Sequence, residues 1–157
     1  MANLSLTAKD IMTEDVISVH PETSVLEAHK IFSNRFFNGL PVVDDENRLV
    51  GILTEYDLLA QGSTVEGFLS ESSEDKEAYE RFREALERLR ETKVSEIMNT
   101  DPITFKEEST AQEIVKAFVE HHRVNPIPVI DKDRRVVGIV SRYDALVLFY
   151  VSPENEN

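Results

Sequence analysis

The chain contains one short stretch twice, and that doubling limits what it can fold into. Gly51-Ile-Leu-Thr-Glu-Tyr-Asp57 returns as Gly138-Ile-Val-Ser-Arg-Tyr-Asp144. Each copy follows an apolar run with a charged turn, Leu40-Pro-Val-Val-Asp44 in the first case and Ile127-Pro-Val-Ile-Asp131 in the second. Gly51 to Gly138, Pro41 to Pro128 and Asp57 to Asp144 share one offset of 87. Upstream, Asp10-Ile-Met12 recurs as Glu96-Ile-Met98 at an offset of 86, so one extra residue lies between Phe118 and Asn125. Such a repeat means two similar units rather than a long array.

Local signals recur with it. The β-branched run 16–19 reads as a strand that His20-Pro21 ends, and Pro102-Ile-Thr-Phe105 takes its place in the second unit. Ser24 with Glu27 is a capping box, repeated as Thr110 with Glu113, and apolar residues follow each at helical spacing. Residues 40–43 with 49–53, and 127–130 with 136–140, read as hairpins that present an alternating apolar face to two helices. Thr54 and Ser141 start the closing helices. Leu4 and Leu6 could form a short leading strand, and residues 10–13 a helical turn. The order is β-α-β-β-α, twice, giving an α/β (α+β) chain of two units packed about a pseudo-two-fold axis. The expected divisions are a first unit over 1–62, an insert over 63–92, a second unit over 93–151 and a disordered tail over 152–157. Within the insert, 63–73 is polar and loop-like. Residues 74–90 lack Gly and Pro and carry Tyr79, Phe82, Leu86 and Leu89 at three- and four-residue steps. That is an amphipathic helix whose stripe should be less exposed than Glu77, Glu80, Glu84 and Arg88, covering its own domain or meeting a partner.

With 157 residues, 41% of them hydrophobic, the chain can bury a core. It has no cysteine and a net charge of −13. The first excludes disulfide frameworks and thiolate metal sites, and the second disfavours nucleic acid and anionic membranes as partners. No apolar run is long enough to span a bilayer, and the first residues lack the order of a secretory leader. The expectation is a soluble cytoplasmic protein.

The repeated stretch admits two readings. Thr54 and Ser141 fit N-caps, with Asp57 and Asp144 at the third helical position, where a carboxylate suits the helix dipole. The same carboxylates could accept hydrogen bonds from the cis-diol of a ribose. The helix N-terminus beside them could offer N–H groups to a phosphate. Gly51 and Gly138 would let another group approach closely.

Taken together, the Ile-Met pieces, the Pro-Val-Val/Ile-Asp hairpins and the two Gly-x-x-Thr/Ser-x-x-Asp segments resemble a tandem pair of cystathionine-β-synthase (CBS) domains, a Bateman module. The resemblance covers about 8–62 and 93–150, with the insert as a departure. It implies two clefts between the units, each able to hold AMP, ADP, ATP or S-adenosylmethionine as a regulatory ligand, and modules that pair into a dimer. It assigns ribose contacts to Thr54, Asp57, Ser141 and Asp144. Ile52 and Ile139 would flank the ligand, and Ile17 and Ile103 would add apolar walls. The adenine pockets would be lined by Phe37, Asn38 and Gly39 in one unit and by Val124, Asn125 and Pro126 in the other. Members that bind phosphates often carry a basic residue near the pre-strand segment, where this chain has Asn38 and Asn125. The nearby cations are Arg35, His121, His122, Arg123 and Arg142; Arg123 and Arg142 stand near for a phosphate in the second unit, which makes the cleft of Ser141 and Asp144 the better expected nucleotide site.

No catalytic cluster is legible: there is no cysteine nucleophile and no glycine-rich phosphate loop. His121 and His122 are adjacent and so diverge on a helix, which argues against a metal site. The sequence therefore reads as a non-enzymatic regulatory module that signals to a protein partner. The alternative is an interaction dimer with empty clefts.

Overall fold

The two segments expected as leading strands each pair with their hairpin through a single residue, and prolines are the cause. Val19 N donates to Pro41 O at 3.0 Å and Val43 N donates to Val19 O at 2.9 Å. Extending this ladder requires an N–H on Pro41 in one direction and on Pro21 in the other, and neither has one. In the second unit Phe105 N donates to Pro128 O and Ile130 N to Phe105 O, both at 2.9 Å. Pro128 stops that ladder in the same way. What was expected as a strand in each unit is thus an extended segment with one isolated parallel bridge, Val19 with Val42 and Phe105 with Val129.

The computed structural model describes residues 5–35, 37–61 and 76–150. Leu4, the 63–73 loop and the 152–157 tail lie outside the described residues. The elements are α1 (Ala8–Ile11), α2 (Val25–Arg35), β1 (Gly39–Val43), β2 (Leu49–Thr54), α3 (Glu55–Gln61), α4 (Lys76–Glu91), a 3-10 turn (Val94–Glu96), α5 (Ala111–Glu120), β3 (Ile127–Ile130), β4 (Val136–Val140) and α6 (Arg142–Tyr150). Leu6 is in no strand and packs against the core of the second unit. β1 pairs antiparallel with β2, Gly39 opposite Thr54, with an irregularity between Val42 and Val43. β3 pairs with β4 in the equivalent register, Ile127 opposite Val140, irregular between Val129 and Ile130. The fold is α+β, with two small two-stranded sheets.

The expected alternation along the hairpins is absent from β1 and β3, which are buried at every residue. One face carries the helix-packed core, and the other is covered by the opposite unit. A Cβ on Gly39 would stand 2.7 Å from Pro126 Cδ. The two hairpins also touch through Val43, Leu49, Ile130 and Val136. Asn47 and Arg134 both sit at φ 63°, left-handed turn residues at matching positions. Their carbonyls accept from the other hairpin, Arg134 O from Leu49 N at 2.9 Å and Asn47 O from Val136 N at 3.1 Å. This reciprocal pair marks the pseudo-two-fold axis.

The start of each sequence repeat packs on the other unit. Ala8 is fully buried in the core of Phe105, Ile114, Phe118, Ile127 and Leu148. Val94 is fully buried in the core of Val19, Phe32, Leu40 and Leu53. Thr13 bridges Ile139, and Asn99 bridges Ile52. The motif glycines are explained by this exchange. A Cβ on Gly138 would fall 2.3 Å from Met12 Sδ, and one on Gly51 would fall 2.7 Å from Met98 Sδ and 2.8 Å from Asn99 O. Gly138→Ala and Gly51→Ala are each expected to cost about 1–3 kcal/mol by overpacking, read from urea unfolding. Adding Met12→Ala should recover part of the loss at Gly138. Met98→Ala should recover less at Gly51, because a backbone carbonyl also blocks that site.

The capping boxes form as read. Thr110 N and Oγ1 donate to Glu113 Oε2 at 2.7 and 3.1 Å, and Glu113 N donates back to Thr110 Oγ1 at 3.3 Å. The backbone N–H of Thr110, then its hydroxyl, hold the Glu113 carboxyl below its ordinary value of 4.5. A depressed carboxyl contributes stability above its unfolded value and loses it as pH falls through the folded one. Glu113→Gln should therefore melt below wild type at neutral pH, and the gap should close on acidification below about 4.

The insert helix departs from its expected pattern at one end. Leu86 and Leu89 turn toward Val25, Leu26 and Leu58, where α4 packs on α2. Tyr79 is 57% exposed, an open position like those of Glu77, Glu80, Glu84 and Arg88. The side chain of Phe82 lies outside the described residues. Leu89 is half-buried and Leu86 is still 40% exposed, so the described part of the stripe covers its own domain only in part.

Candidate functional site

The helix that follows each hairpin starts with a closed cap. Ser141 N and Oγ donate to Asp144 Oδ2 at 2.7 and 2.8 Å, and Asp144 N donates back to Ser141 Oγ at 3.2 Å. Thr54 and Asp57 repeat this at 2.7, 2.8 and 3.3 Å. The capping role is thus realised, and it uses one oxygen of each carboxylate. Oδ1 of Asp57 and of Asp144 takes no hydrogen bond among the described residues. The cap and a ligand contact are therefore compatible.

The expectation that these helix ends offer free N–H groups to a phosphate does not hold for most of them. Besides the cap bonds, Arg142 N donates to Asn125 Oδ1 at 3.0 Å. Glu55 N donates to Asn38 O at 3.1 Å. The side chain of Asp144 or Asp57 sits where an anion would otherwise go.

A cavity of about 250 Å³ opens at the Ser141 side. From the second unit it takes Asn125, Pro126, Ile139, Ser141 and Asp144, and from the first it takes Ile17, Phe37, Asn38 and Gly39. Both pre-strand segments thus meet in one cleft, whereas the resemblance to the family implies one segment in each of two. Ile17, on the first unit's extended segment, faces the second unit's ribose candidate. Thr13, Asp15, Val16 and Tyr143 also line the cavity and were not anticipated. Tyr143 belongs to the repeated motif, so its signal was present. Thr13 and Asp15 follow the Ile-Met repeat, whose crossing to the other unit no local pattern reveals.

The remaining candidates do not line this cavity. Thr54 and Ile52 are buried, at 8% and 4% exposed, at the equivalent place in the first unit. Ile103 and Val124 pack against the second unit's core. Arg123 donates from Nη1 to Tyr56 Oη at 2.9 Å, and its guanidinium lies 5.0 Å from the Tyr56 ring centroid. Arg142 donates from Nη2 to the carbonyls of His122 and Val124. Both arginines proposed for phosphate are thus engaged on protein groups. No cluster of three or more His, Asp or Glu suited to a metal occurs among the described residues. No helix among them is long and apolar enough to cross a membrane.

The cavity combines apolar walls with the amides of Asn38 and Asn125 and the carboxylates of Asp15 and Asp144. That is the chemistry of a small-molecule cleft with a few placed polar groups. The CBS domain model matches residues 8–63 and 94–150. The chain belongs to the CBS-domain family and carries two copies as a tandem pair. A CBS domain-containing protein of Dictyostelium discoideum is 33% identical over 145 residues, covering 92% of each chain. The CBS domain pair of protein MJ0100, solved with 5′-methylthioadenosine and S-adenosyl-L-methionine, is 29% identical with a TM-score of 0.67, covering 94% of this chain and 97% of that one. CBSX2, from Arabidopsis thaliana and solved with AMP, shares the fold at a TM-score of 0.71 and 24% identity, covering 93% of this chain and 97% of its own.

Proposed function

We propose that this chain is a non-enzymatic regulatory module that binds an adenosine-containing ligand in the Ser141–Asp144 cleft and passes its occupancy to a protein partner. The observation that carries the reading is the cavity itself, walled by both units and ending on a carboxylate with one uncommitted oxygen. Ile17, Val16 and Ile139 can sandwich a base, and Phe37, 37% exposed, can stack at its edge. Asp144 Oδ1 can accept from a ribose diol. At about 250 Å³ the cleft lies just under the ~300 Å³ at which small-molecule pockets commonly begin. It takes a nucleoside and leaves a longer 5′ substituent at its mouth. The relative solved with two adenosine compounds supports the same ligand class. Because the walls come from both units, filling the cleft fixes their relative placement, which is what a partner could read.

The test is calorimetric titration with adenosine, 5′-methylthioadenosine, S-adenosylmethionine, AMP, ADP and ATP, alongside mass spectrometry of small molecules that co-purify. Saturable binding of at least one compound, with no turnover of it, is expected. If none binds, the empty-cleft interaction module takes over.

The module should also be a homodimer, assembled on α3 and α6. Leu59 is 75% exposed, Tyr143 82% and Phe149 54%, with Tyr56 and Leu146 also exposed on the same helices. Large apolar side chains left exposed on both closing helices are what an association surface would cover. Sedimentation should give roughly twice 17.9 kDa at micromolar concentration. A wild-type monomer there, or a Leu59→Glu/Phe149→Glu variant that still dimerises, would remove this element of the reading.

A further inference from the structure

We infer that the Ser141–Asp144 cleft selects an adenosine whose 5′ substituent is uncharged or positively charged, and that Asp15 is the residue that turns polyphosphates away. This rests on the adenosine reading above and narrows it. Three observations converge. Among the described residues the charged groups lining the cavity are Asp15 and Asp144, and no Lys, Arg or His lines it. The two arginines beside the second pre-strand segment are engaged elsewhere, Arg123 on Tyr56 and Arg142 on two main-chain carbonyls. The N-terminus of α6 is already filled from within: Ser141 N meets Asp144, Arg142 N meets Asn125, and Asp144 N meets Ser141. A phosphate entering here would find two carboxylates and few free donors, inside a chain of net charge −13. A sulfonium or a thioether would meet no such repulsion, and the sulfonium would gain from it.

Asp144 carries the diol contact, so its charge is tied to binding any adenosine. Asp15 has no such duty. Its side chain is exposed at the cavity edge, on the segment that crosses from one unit to the other. It is the group whose removal changes the charge of the site without touching the cap.

Titrations should use 5′-methylthioadenosine, S-adenosylmethionine, AMP and ATP in one buffer, with EDTA and again with magnesium. ATP should bind about tenfold or more weaker than 5′-methylthioadenosine, with AMP between them, and added salt should narrow the gap. Asp15→Asn should raise the affinity for ATP relative to 5′-methylthioadenosine several-fold, a gain of binding that misfolding cannot produce. Affinity that holds or rises from 5′-methylthioadenosine to ATP, with or without magnesium, would overturn the inference while leaving the adenosine reading intact. An unchanged ratio in Asp15→Asn would overturn the role of that residue. Silence with every compound would overturn both.

Discussion

Asp144→Ala should weaken adenosine-ligand binding about tenfold to hundredfold. Losing a charged acceptor costs about 1.5–3 kcal/mol, and each 1.4 kcal/mol is about one decade in affinity. The carboxylate has two roles in this structure, so the variant must be read against a control. Oδ2 closes the cap with Ser141, and its loss should lower stability by about 1 kcal/mol whether or not a ligand exists. Asp57 closes the same cap with Thr54 but does not line the cavity. Asp57→Ala should therefore show the same stability loss and leave affinity for the Ser141-side cleft within about twofold. Chemical unfolding and titration of both variants separate the two roles. Equal effects of both changes on affinity would mean that the diol is held elsewhere, or that the two clefts act as one.

The contrast between these aspartates shows where the sequence stops being legible. Most of the local structure could be read: the hairpins, the four caps and the helix of the insert follow from spacing, β-branching and capping residues. The reading failed where a neighbour from the other unit decides the outcome. Glycines 51 and 138 look like ligand-side positions in one dimension, yet each makes room for a methionine, Met98 and Met12. The repeated Ile-Met pair was visible, but nothing in the linear chain says which unit it serves. Arg123 and Arg142 stand beside a pre-strand segment and so invite a phosphate. In three dimensions Tyr56 and two carbonyls hold them first. The lost leading strands follow from Pro21, Pro41 and Pro128, all visible in the sequence. Their effect depends on which edge of the hairpin the parallel segment approaches.

A chain cut between its repeats is expected not to give two folded halves. The fragment 76–157 contains the hairpin, the caps and the two long helices of the second unit, and by the sequence repeat it looks complete. It lacks residues 7–13. In the whole chain Ala8 fills that core at 0% exposure, and Met12 lies on Gly138. Ala8 N donates to Ser109 O at 2.8 Å, Thr13 N donates to Ile139 O at 2.9 Å, and Ile139 N donates back at 3.0 Å. Removing them opens a groove over Gly138, exposes the apolar surface that Ala8 and Met12 cover, and gives up those three backbone hydrogen bonds, each a net loss of about 0.5–1.5 kcal/mol. A domain of this size holds only about 5–15 kcal/mol in all. The same fragment carries residues 93–99, whose place in the other unit has just been cut away. Since 93–99 repeats the sequence features of 7–13, a second copy can supply it. The fragment should therefore fold only as an exchanged dimer, with a thermal midpoint that rises with protein concentration. Adding fragment 1–75 should shift it to a one-to-one complex. A fragment that melts cooperatively as a monomer, at a midpoint independent of concentration, would show that the crossing segments are dispensable.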